Sequence, residues 1–254
     1  MTSAMGFSFD LTGRNALVTG ASSGLGTRFG RILAASGANV ALGARRADRL
    51  AALAATIGPK AAAVQMDVAR EADIIAGFDA AEAAFGPIDT VIANAGVDGA
   101  GMATTISEEE IEQTLAINLK GAILTAREGA KRMMAHGVTR GRIVLIASIT
   151  AFEPSPGLVA YAASKAGVVQ AGRTLAREWA RSGICVNTVS PGYIRTAIND
   201  AWFNTEPGKK QIARFPKRRL MGEEGLDAMI LFLCSDASEF VTGTDFILDD
   251  GQTL

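Results

Sequence analysis

The stretch that decides the fold is Thr19-Gly20-Ala21-Ser22-Ser23-Gly24-Leu25-Gly26. It follows a short apolar run, Asn15–Thr19, that is typical of a buried strand, and it opens a helical pattern. Gly20 permits a tight turn, and Gly24 and Gly26 let backbone approach a ligand while the helix packs against the sheet. The free N–H groups and the positive end of the helix dipole then favour a pyrophosphate.

Outward from this turn, apolar runs alternate with helical patterns along the chain. Further strands are predicted at Asn39–Ala44, Ala62–Met66, Thr90–Ala93, Arg142–Ala147, Cys185–Val189 and Phe246–Asp249, and helices at Leu25–Ala35, Arg49–Ile57, Glu71–Phe85, Glu108–His136, Tyr161–Arg181 and Leu226–Cys234. Strands that alternate with helices are typical of a parallel sheet covered on both faces. No linker or repeat interrupts the pattern. We therefore predict one α/β domain over residues 1–254, a Rossmann-type doubly wound parallel sheet of about seven strands.

The composition excludes several classes of protein. The chain has 254 residues, a net charge of −1 and one histidine, and no apolar run approaches the roughly 18 residues of a membrane span. Because the net charge is close to zero, the protein has no strong positive electrostatic field that would attract nucleic acid or an anionic membrane. The two cysteines match no metal spacing, and the N-terminal residues do not resemble a secretion signal. We expect a cytoplasmic protein that binds no metal, nucleic acid or membrane.

A tyrosine and a lysine form the first candidate for chemistry. Tyr161 and Lys165 are four residues apart on a predicted helix, so both side chains project from one face. Free tyrosine has a pKa of about 10, which is too high for proton exchange near neutrality. A nearby ammonium favours the phenolate, so we expect Lys165 to lower the pKa of Tyr161. Ser148 follows the strand Arg142–Ala147, where doubly wound folds bind ligands, and its hydroxyl can hold a carbonyl or alcohol oxygen.

These features together resemble the short-chain dehydrogenase/reductase family. The resemblance is carried by Thr19-Gly20-x-x-x-Gly24-x-Gly26, Asn94-Ala95-Gly96, Ser148, Tyr161-x-x-x-Lys165 and Pro191-Gly192, and it extends from about Leu11 to Gly251. There are two small departures: Ala93 stands where a second Asn is common, and Gln252 follows where the family often has a second Gly. The resemblance implies hydride transfer between a nicotinamide and a carbonyl or secondary alcohol carbon, with Tyr161 as the general acid/base.

The resemblance also implies roles for further residues. Asn118, inside the helix Glu108–His136, matches the family's fourth catalytic residue and would anchor a water that links Lys165 to solvent. The implied cofactor contacts are Gly20, Ser22, Ser23, Gly24, Leu25, Gly26, Asp67, Val68, Asn94, Ala95, Gly96, Tyr161, Lys165, Pro191, Gly192, Ile194 and Thr196. Among them, Asp67 and Val68 would meet the adenine, whereas Thr196 and the Ile194 backbone would hold the carboxamide.

The end of the second strand predicts which nicotinamide cofactor is used. NAD-binding folds usually place an acidic residue there to accept from the ribose 2′-OH. This sequence has Ala44 at that place, followed by Arg45 and Arg46. No carboxylate would repel a 2′-phosphate, a guanidinium matches phosphate geometry, and Ser22 adds a hydroxyl donor. We predict NADP(H), with Arg45 as the main contact and Arg46 beside it; NAD(H), with both arginines merely solvated, stays open.

The region after Pro191-Gly192 corresponds to a mobile lid in the family, and we name residues 193–216 the lid segment. Trp202, Phe203 and Phe215 would give it apolar surface, which favours a hydrophobic or aromatic ketone over a sugar. Packing within the lid or between subunits is an equally open explanation. Other residues expected to border the substrate pocket are Val97, Ile149, Glu153 and Tyr193. No motif names the substrate or the direction of the reaction.

Three further expectations remain open. Lys131, Arg132, Arg140 and Arg177 are cations that could meet an acidic carrier protein, which would make the chain a 3-oxoacyl-[acyl-carrier-protein] reductase. A non-catalytic protein that senses NADP(H) is another class, although a complete Asn, Ser, Tyr and Lys set argues against it. The resemblance implies a homotetramer with two-fold axes, built through the two long helices and through the C-terminal helix and last strand.

Overall fold

The strands form one parallel sheet in the order β3-β2-β1-β4-β5-β6-β7, in a computed structural model that describes residues 9–195 and 199–254. The strands are β1 (Asn15–Thr19), β2 (Asn39–Ala44), β3 (Ala61–Gln65), β4 (Thr90–Ala93), β5 (Gly141–Ile146), β6 (Ile184–Pro191) and β7 (Asp245–Leu248). The α-helices are α1 (Gly24–Ala35), α2 (Ala47–Ile57), α3 (Glu71–Phe85), α4 (Glu108–Leu115), α5 (Ala122–Ala135), α6 (Val159–Trp179), α7 (Asp200–Phe203), α8 (Glu206–Arg214) and α9 (Asp227–Cys234). The predicted Rossmann-type fold is confirmed.

The strand order reverses at β1, which pairs with β2 on one side and β4 on the other. Leu17 lies beside Ala41 in one neighbour and Val91 in the other. In open parallel sheets, ligands bind outside the carboxyl ends of the strands at this reversal. The turn after β1 and the segment after β4 therefore meet where a ligand site is expected.

Successive side chains of each strand point to opposite faces of the sheet, and they form two hydrophobic cores, one on each face. Leu17 packs with Phe78 of α3 and Met133 of α5, whereas its neighbour Val18 packs on the other face with Phe29 of α1 and Ile230 of α9. All of these side chains are buried. Burial of apolar surface on both faces holds the helices against the sheet. None of the helices in the two described ranges is both long and apolar enough to cross a membrane.

Two segments differ from the predicted helices. The predicted helix Glu108–His136 is divided by a π-helical turn, Ala116–Gly121, between α4 and α5. A π turn adds one residue within a continuous helix, so apolar spacing does not reveal it. The lid segment contains two short helices, α7 and α8, whose boundaries no sequence pattern indicates. Thr205 caps α8 by accepting a hydrogen bond from the Gly208 N–H at 3.2 Å.

Candidate active site

The glycine-rich turn is held against the segment after β4 with little room between backbones. Gly20 has a φ of +70°, and a Cβ there would lie 2.8 Å from the Cα of Ala95. A Cβ on Gly26 would collide with the carbonyl oxygen of Gly20. Asn94 donates from Nδ2 to the Thr19 carbonyl at 2.9 Å, and its own N–H donates to Thr19 Oγ1 at 3.0 Å. Glycine at these two positions therefore lets the turn, the start of α1 and the segment after β4 pack in direct backbone contact; we call this turn, Gly20–Gly26, the cradle.

Arg46 forms hydrogen bonds with two serines of this turn. Arg46 donates from Nη2 to Ser22 Oγ at 2.7 Å and to Ser23 Oγ at 2.8 Å, and its Nε lies 3.1 Å from Ser22 Oγ. Arg45 and Arg49 line the same end of the cavity. The sequence named Arg45 as the main contact, whereas Arg46 is the residue that reaches the turn.

The predicted catalytic side chains converge at the carboxyl end of β5. Ser148 forms a hydrogen bond with Tyr161 and caps a short 3₁₀ turn by accepting from the Thr150 N–H at 3.2 Å. Lys165 is buried, and its Nζ lies 5.5 Å from the Tyr161 ring centroid. The Lys165 ammonium donates to the carbonyl oxygen of Ile146 at 2.8 Å. This bond fixes the position of the ammonium beneath the phenol.

Burial shifts the ionisation of both groups towards their neutral forms. Desolvation raises the pKa of Tyr161 to about 12, although the hydrogen bond with Ser148 opposes this shift. The carboxylate of Asp98 also raises the Tyr161 pKa. Burial lowers the pKa of Lys165 to about 8. The expected lowering of the Tyr161 pKa by Lys165 is thus wrong for the protein alone, because desolvation outweighs every opposing effect at the phenol.

Asn118 lies behind the cavity wall, inside the π turn. Its Oδ1 accepts from the Val97 N–H and its Nδ2 donates to the Val97 carbonyl, both at 2.8 Å. Nδ2 also lies 3.2 Å from Ser164 Oγ. A Cβ on Gly96 would lie 3.3 Å from Asn118 Oδ1 and 3.7 Å from Lys165 Nζ. Asn118 therefore joins the π turn to the loop that borders the lysine.

Tyr193 connects the lid segment to the opposite wall. Its ring stacks on Phe215 with centroids 5.8 Å apart and meets the edge of Phe203, also at 5.8 Å. Its hydroxyl lies 2.9 Å from Ser155 Oγ. Phe203 and Phe215 are both buried, whereas Trp202 is about half exposed at 49%. Of the aromatic side chains in the lid segment, Phe203 and Phe215 are therefore packed against Tyr193, whereas Trp202 is partly exposed at the cavity.

A single cavity of about 1450 Å³ unites these features. Of the predicted site residues, its lining contains Gly20, Ser22, Ser23, Gly24, Leu25, Arg45, Arg46, Asp67, Val68, Asn94, Ala95, Gly96, Val97, Ser148, Ile149, Tyr161, Lys165, Pro191, Gly192, Tyr193, Ile194, Trp202 and Phe203. Gly26 and Asn118 support the wall from behind. Glu153 is exposed and lies outside the lining. Thr196 falls outside the described residues.

Several lining residues were missed by the sequence analysis. They include Asp98 and Met102 on the loop after β4, Leu158 before α6, and Lys210 and Arg214 on α8. The spacing of Pro207, Lys210, Gln211 and Arg214 would have indicated one helical face if the helix had been recognised. Gln252 was noted only as a departure from the family pattern, yet it bonds the backbone of Tyr193.

Comparison with known proteins assigns the chain to a family. A family model described as enoyl-(acyl carrier protein) reductase matches residues 20–253. D-threitol dehydrogenase of Mycolicibacterium smegmatis is 37% identical over 251 residues, which cover 98% of this chain and 96% of that protein. 3beta-hydroxysteroid dehydrogenase 1 of Eggerthella lenta is 36% identical over 253 residues, which cover 96% and 95% of the two chains.

A solved structure extends the likeness to three dimensions. The crystal structure of a gluconate 5-dehydrogenase from Burkholderia cenocepacia, in complex with NADP and tartrate, has a TM-score of 0.92 and 32% identity over 97% of both chains. These similarities span nearly the whole chain. The chain is therefore an oxidoreductase that belongs to the short-chain dehydrogenase/reductase family.

Proposed function

We propose that the protein is an NADP(H)-dependent carbonyl reductase or alcohol dehydrogenase that acts on a hydrophobic ketone or the corresponding secondary alcohol. The observation that carries this proposal is the convergence of Ser148, Tyr161 and Lys165 on one wall of a cavity whose other end is a glycine-rich backbone cradle. Chemistry and cofactor binding are thereby joined in one space.

The residues present fit a nicotinamide dinucleotide. Gly20 and Gly26 let the turn pack closely against the start of α1 and the segment after β4, and a helix N-terminus that follows such a turn suits a pyrophosphate. Arg46, Ser22 and Ser23 form a donor group beside Ala44, where a carboxylate would oppose a phosphate. This donor chemistry supports NADP(H) over NAD(H).

The chain's own residues supply the proton and its positioning. Bound nicotinamide supplies or accepts the hydride. In the reducing direction, the Tyr161 hydroxyl gives its proton to the carbonyl oxygen as the carbonyl carbon gains the hydride. Ser148 holds the same oxygen through its hydroxyl. Lys165, held by the Ile146 carbonyl, stabilises negative charge that develops on the phenol oxygen. Asn118 keeps the loop beside Lys165 in position, in line with a role in the proton relay.

The substrate end of the cavity supports an apolar substrate. Met102, Ile149, Leu158, Tyr193 and Phe203 all line it. Such a lining favours transfer of apolar surface from water. The relatives are named for substrates as different as threitol, a steroid and gluconate, so the family alone selects no molecule.

The test is a panel of ketones and secondary alcohols assayed with NADPH, NADH and the oxidised forms. We expect turnover of apolar ketones with NADPH at a higher kcat/KM than with NADH. Absence of turnover in both directions, together with tight binding of NADPH, would favour the NADP(H) sensor instead. A preference for carrier-bound over free 3-oxoacyl substrates would favour the carrier-protein reductase.

The basic residues invoked for a carrier protein are largely neutralised. Arg132 bonds Glu128, Glu82 and Asp79, each at 2.7 Å. Arg140 pairs with Asp236. These ion pairs leave less positive charge for an acidic carrier protein. We therefore propose a carbonyl reductase in preference to a carrier-protein reductase.

A cytoplasmic homotetramer is also part of the proposal. Phe152 and Val159, beside the start of α6, are 46% and 49% exposed, and Ile247 of β7 and the terminal Leu254 are exposed as well. Exposed apolar side chains in these two places match the two contacts that the family resemblance implies. Sedimentation velocity of the purified chain measures the state directly, and a monomer would contradict it.

A further inference from the structure

Helix α8 turns two cations towards the cavity without an acidic partner. Pro207, Lys210, Gln211 and Arg214 line the cavity, and their spacing places them on one helical face. Neither the Lys210 nor the Arg214 side chain forms a hydrogen bond or ion pair with any residue in the ranges 9–195 and 199–254. Two cations four residues apart on a helix also repel each other.

Four neighbouring cations in or beside the lid segment have acidic partners. Lys209, on another face of α8, pairs with Glu206 at 2.8 Å. Arg195 pairs with Asp200, and Asp250 holds both Lys217 and Arg219. Arg218 has no ion pair within the described chain and does not line the cavity. Attraction to the helix C-terminus explains basic residues near the end of α8. This attraction does not explain why Lys210 and Arg214, on the cavity face of α8, have no carboxylate partner.

The position of this pair points to the substrate rather than the cofactor. Gln211, between the two cations, accepts a hydrogen bond from the Trp202 indole at 2.8 Å. Arg214 precedes Phe215, whose ring stacks on Tyr193 at the apolar end of the cavity. Arg46, by contrast, bonds Ser22 and Ser23 of the glycine-rich turn. Two carboxylates, Asp67 and Asp98, belong to the described lining, and neither pairs with the α8 cations.

We infer that the substrate carries a carboxylate, which Lys210 and Arg214 receive when it occupies the cavity. This inference rests on the proposed function, because it concerns the same site and reaction. The planar guanidinium of Arg214 matches a carboxylate through two parallel N–H donors, and the Lys210 ammonium adds a second charge. The substrate class is therefore an oxo acid, or hydroxy acid, with an apolar body between its carboxylate and its reacting carbon.

The experiment compares acids with their neutral esters. Medium-chain oxo acids with the carbonyl at successive positions are each assayed beside their methyl esters, with NADPH, in the wild type, Lys210→Gln and Arg214→Gln. Lys209→Gln is the matched control, since Lys209 lies on the same helix but pairs with Glu206. We expect each cavity-face variant to raise KM for the best acid by about 10- to 150-fold, the range of a lost charge-assisted hydrogen bond. KM for the ester and for NADPH should stay within about 2-fold of wild type.

The other outcomes overturn the inference in distinguishable ways. Equal loss for acid and ester, or wild-type turnover of esters but of no acid, means that the cations do not receive a carboxylate. A raised KM for NADPH in the two variants assigns the cations to the cofactor. If the wild type reduces neither acids nor esters but still reduces neutral ketones with NADPH, this inference fails and the proposed function stands; absence of turnover with every ketone overturns both.

Discussion

The side-chain amide of Gln252 bonds both backbone groups of Tyr193. Its Oε1 accepts from the Tyr193 N–H at 2.6 Å, and its Nε2 donates to the Tyr193 carbonyl at 3.1 Å. The C-terminal loop that carries Gln252 is in turn held by Asp249, which accepts from the N–H groups of Gly251 and Thr253 at 2.9 Å. The C-terminal loop therefore holds the backbone of Tyr193, while its ring and hydroxyl contact Phe203, Phe215 and Ser155.

Replacement of Gln252 tests this relationship. Gln252→Gly removes both bonds, and each neutral hydrogen bond contributes about 0.5–1.5 kcal/mol. We expect the free energy of unfolding to fall by about 1–3 kcal/mol in urea denaturation, and KM for the substrate to rise more than kcat falls. Gln252→Glu keeps the acceptor and loses the donor, so its effects should be intermediate. Equal KM values in wild type and Gln252→Gly would show that Tyr193 is held by its ring contacts alone.

Tyr161→Phe is expected to abolish proton transfer while it leaves cofactor binding intact. General acid–base groups contribute about 10²–10⁴-fold, so kcat should fall by at least that range. The chain has a second tyrosine, Tyr193, whose hydroxyl meets Ser155. Tyr193→Phe is therefore a matched control and should keep most of kcat. Near-normal kcat in Tyr161→Phe would remove it from the mechanism.

The cofactor preference is expected to depend on both arginines after β2. A charge-assisted hydrogen bond contributes about 1.5–3 kcal/mol, or roughly 10- to 150-fold in affinity. Arg45→Ala and Arg46→Ala should each weaken NADPH within that range and leave NADH almost unchanged. Ala44→Asp should shift preference towards NADH through repulsion of the 2′-phosphate. The measurement is kcat/KM for both cofactors, with Arg31→Ala, on the exposed side of α1, as control.

The exposed lid tryptophan is expected to act on large substrates. Trp202 lies at the cavity rim and is tied to Gln211. If it covers apolar substrate, Trp202→Ala raises KM for bulky ketones several-fold more than for small ones. Phe203→Leu is a contrasting variant. Because Phe203 is buried against Tyr193, this substitution should lower the free energy of unfolding more than it changes KM. A uniform change in KM across the panel would indicate that Trp202 serves packing instead.

The buried lysine predicts a pH dependence of stability. Burial lowers the pKa of Lys165 from 10.5 to about 8. Between these values the unfolded chain binds a proton that the folded chain lacks, so stability contributed by this group rises with pH. Relative to Lys165→Met, the wild type should gain up to about 1.4 kcal/mol per pH unit between about pH 8 and 10. Urea denaturation at several pH values measures the difference, and a flat difference would contradict the shift.

Local patterns in the sequence predict much of the fold. The run Asn15–Thr19 coincides with β1, and the turn after it has the close backbone contacts that its glycines indicate. Tyr161 and Lys165 share one face of α6 because helical spacing requires it. These features depend on short stretches of chain, where spacing and residue type are sufficient.

Features that depend on distant packing were not predictable. Whether Arg45 or Arg46 contacts Ser22 depends on the backbone conformation at the start of α2. The order of the two arginines in the sequence does not reveal it. The sign of the Tyr161 pKa shift depends on burial by the surrounding walls rather than on the neighbouring lysine. Gln252 looked like a minor departure, because its partner Tyr193 is far away in sequence.

The pairing of β1 with β4 has a consequence for how the protein folds. Ala16 lies beside Thr90, so the contact between Asn94 and Thr19 joins parts of the chain that are separated by three complete helical crossovers, through α1, α2 and α3. Closing so long a loop costs entropy before any contact compensates, and parallel sheets with such distant contacts fold slowly. Helices can form early without creating any part of the cradle. Recovery of cofactor binding after dilution from denaturant therefore reports the late closure of the sheet at its centre, rather than the first collapse of the chain.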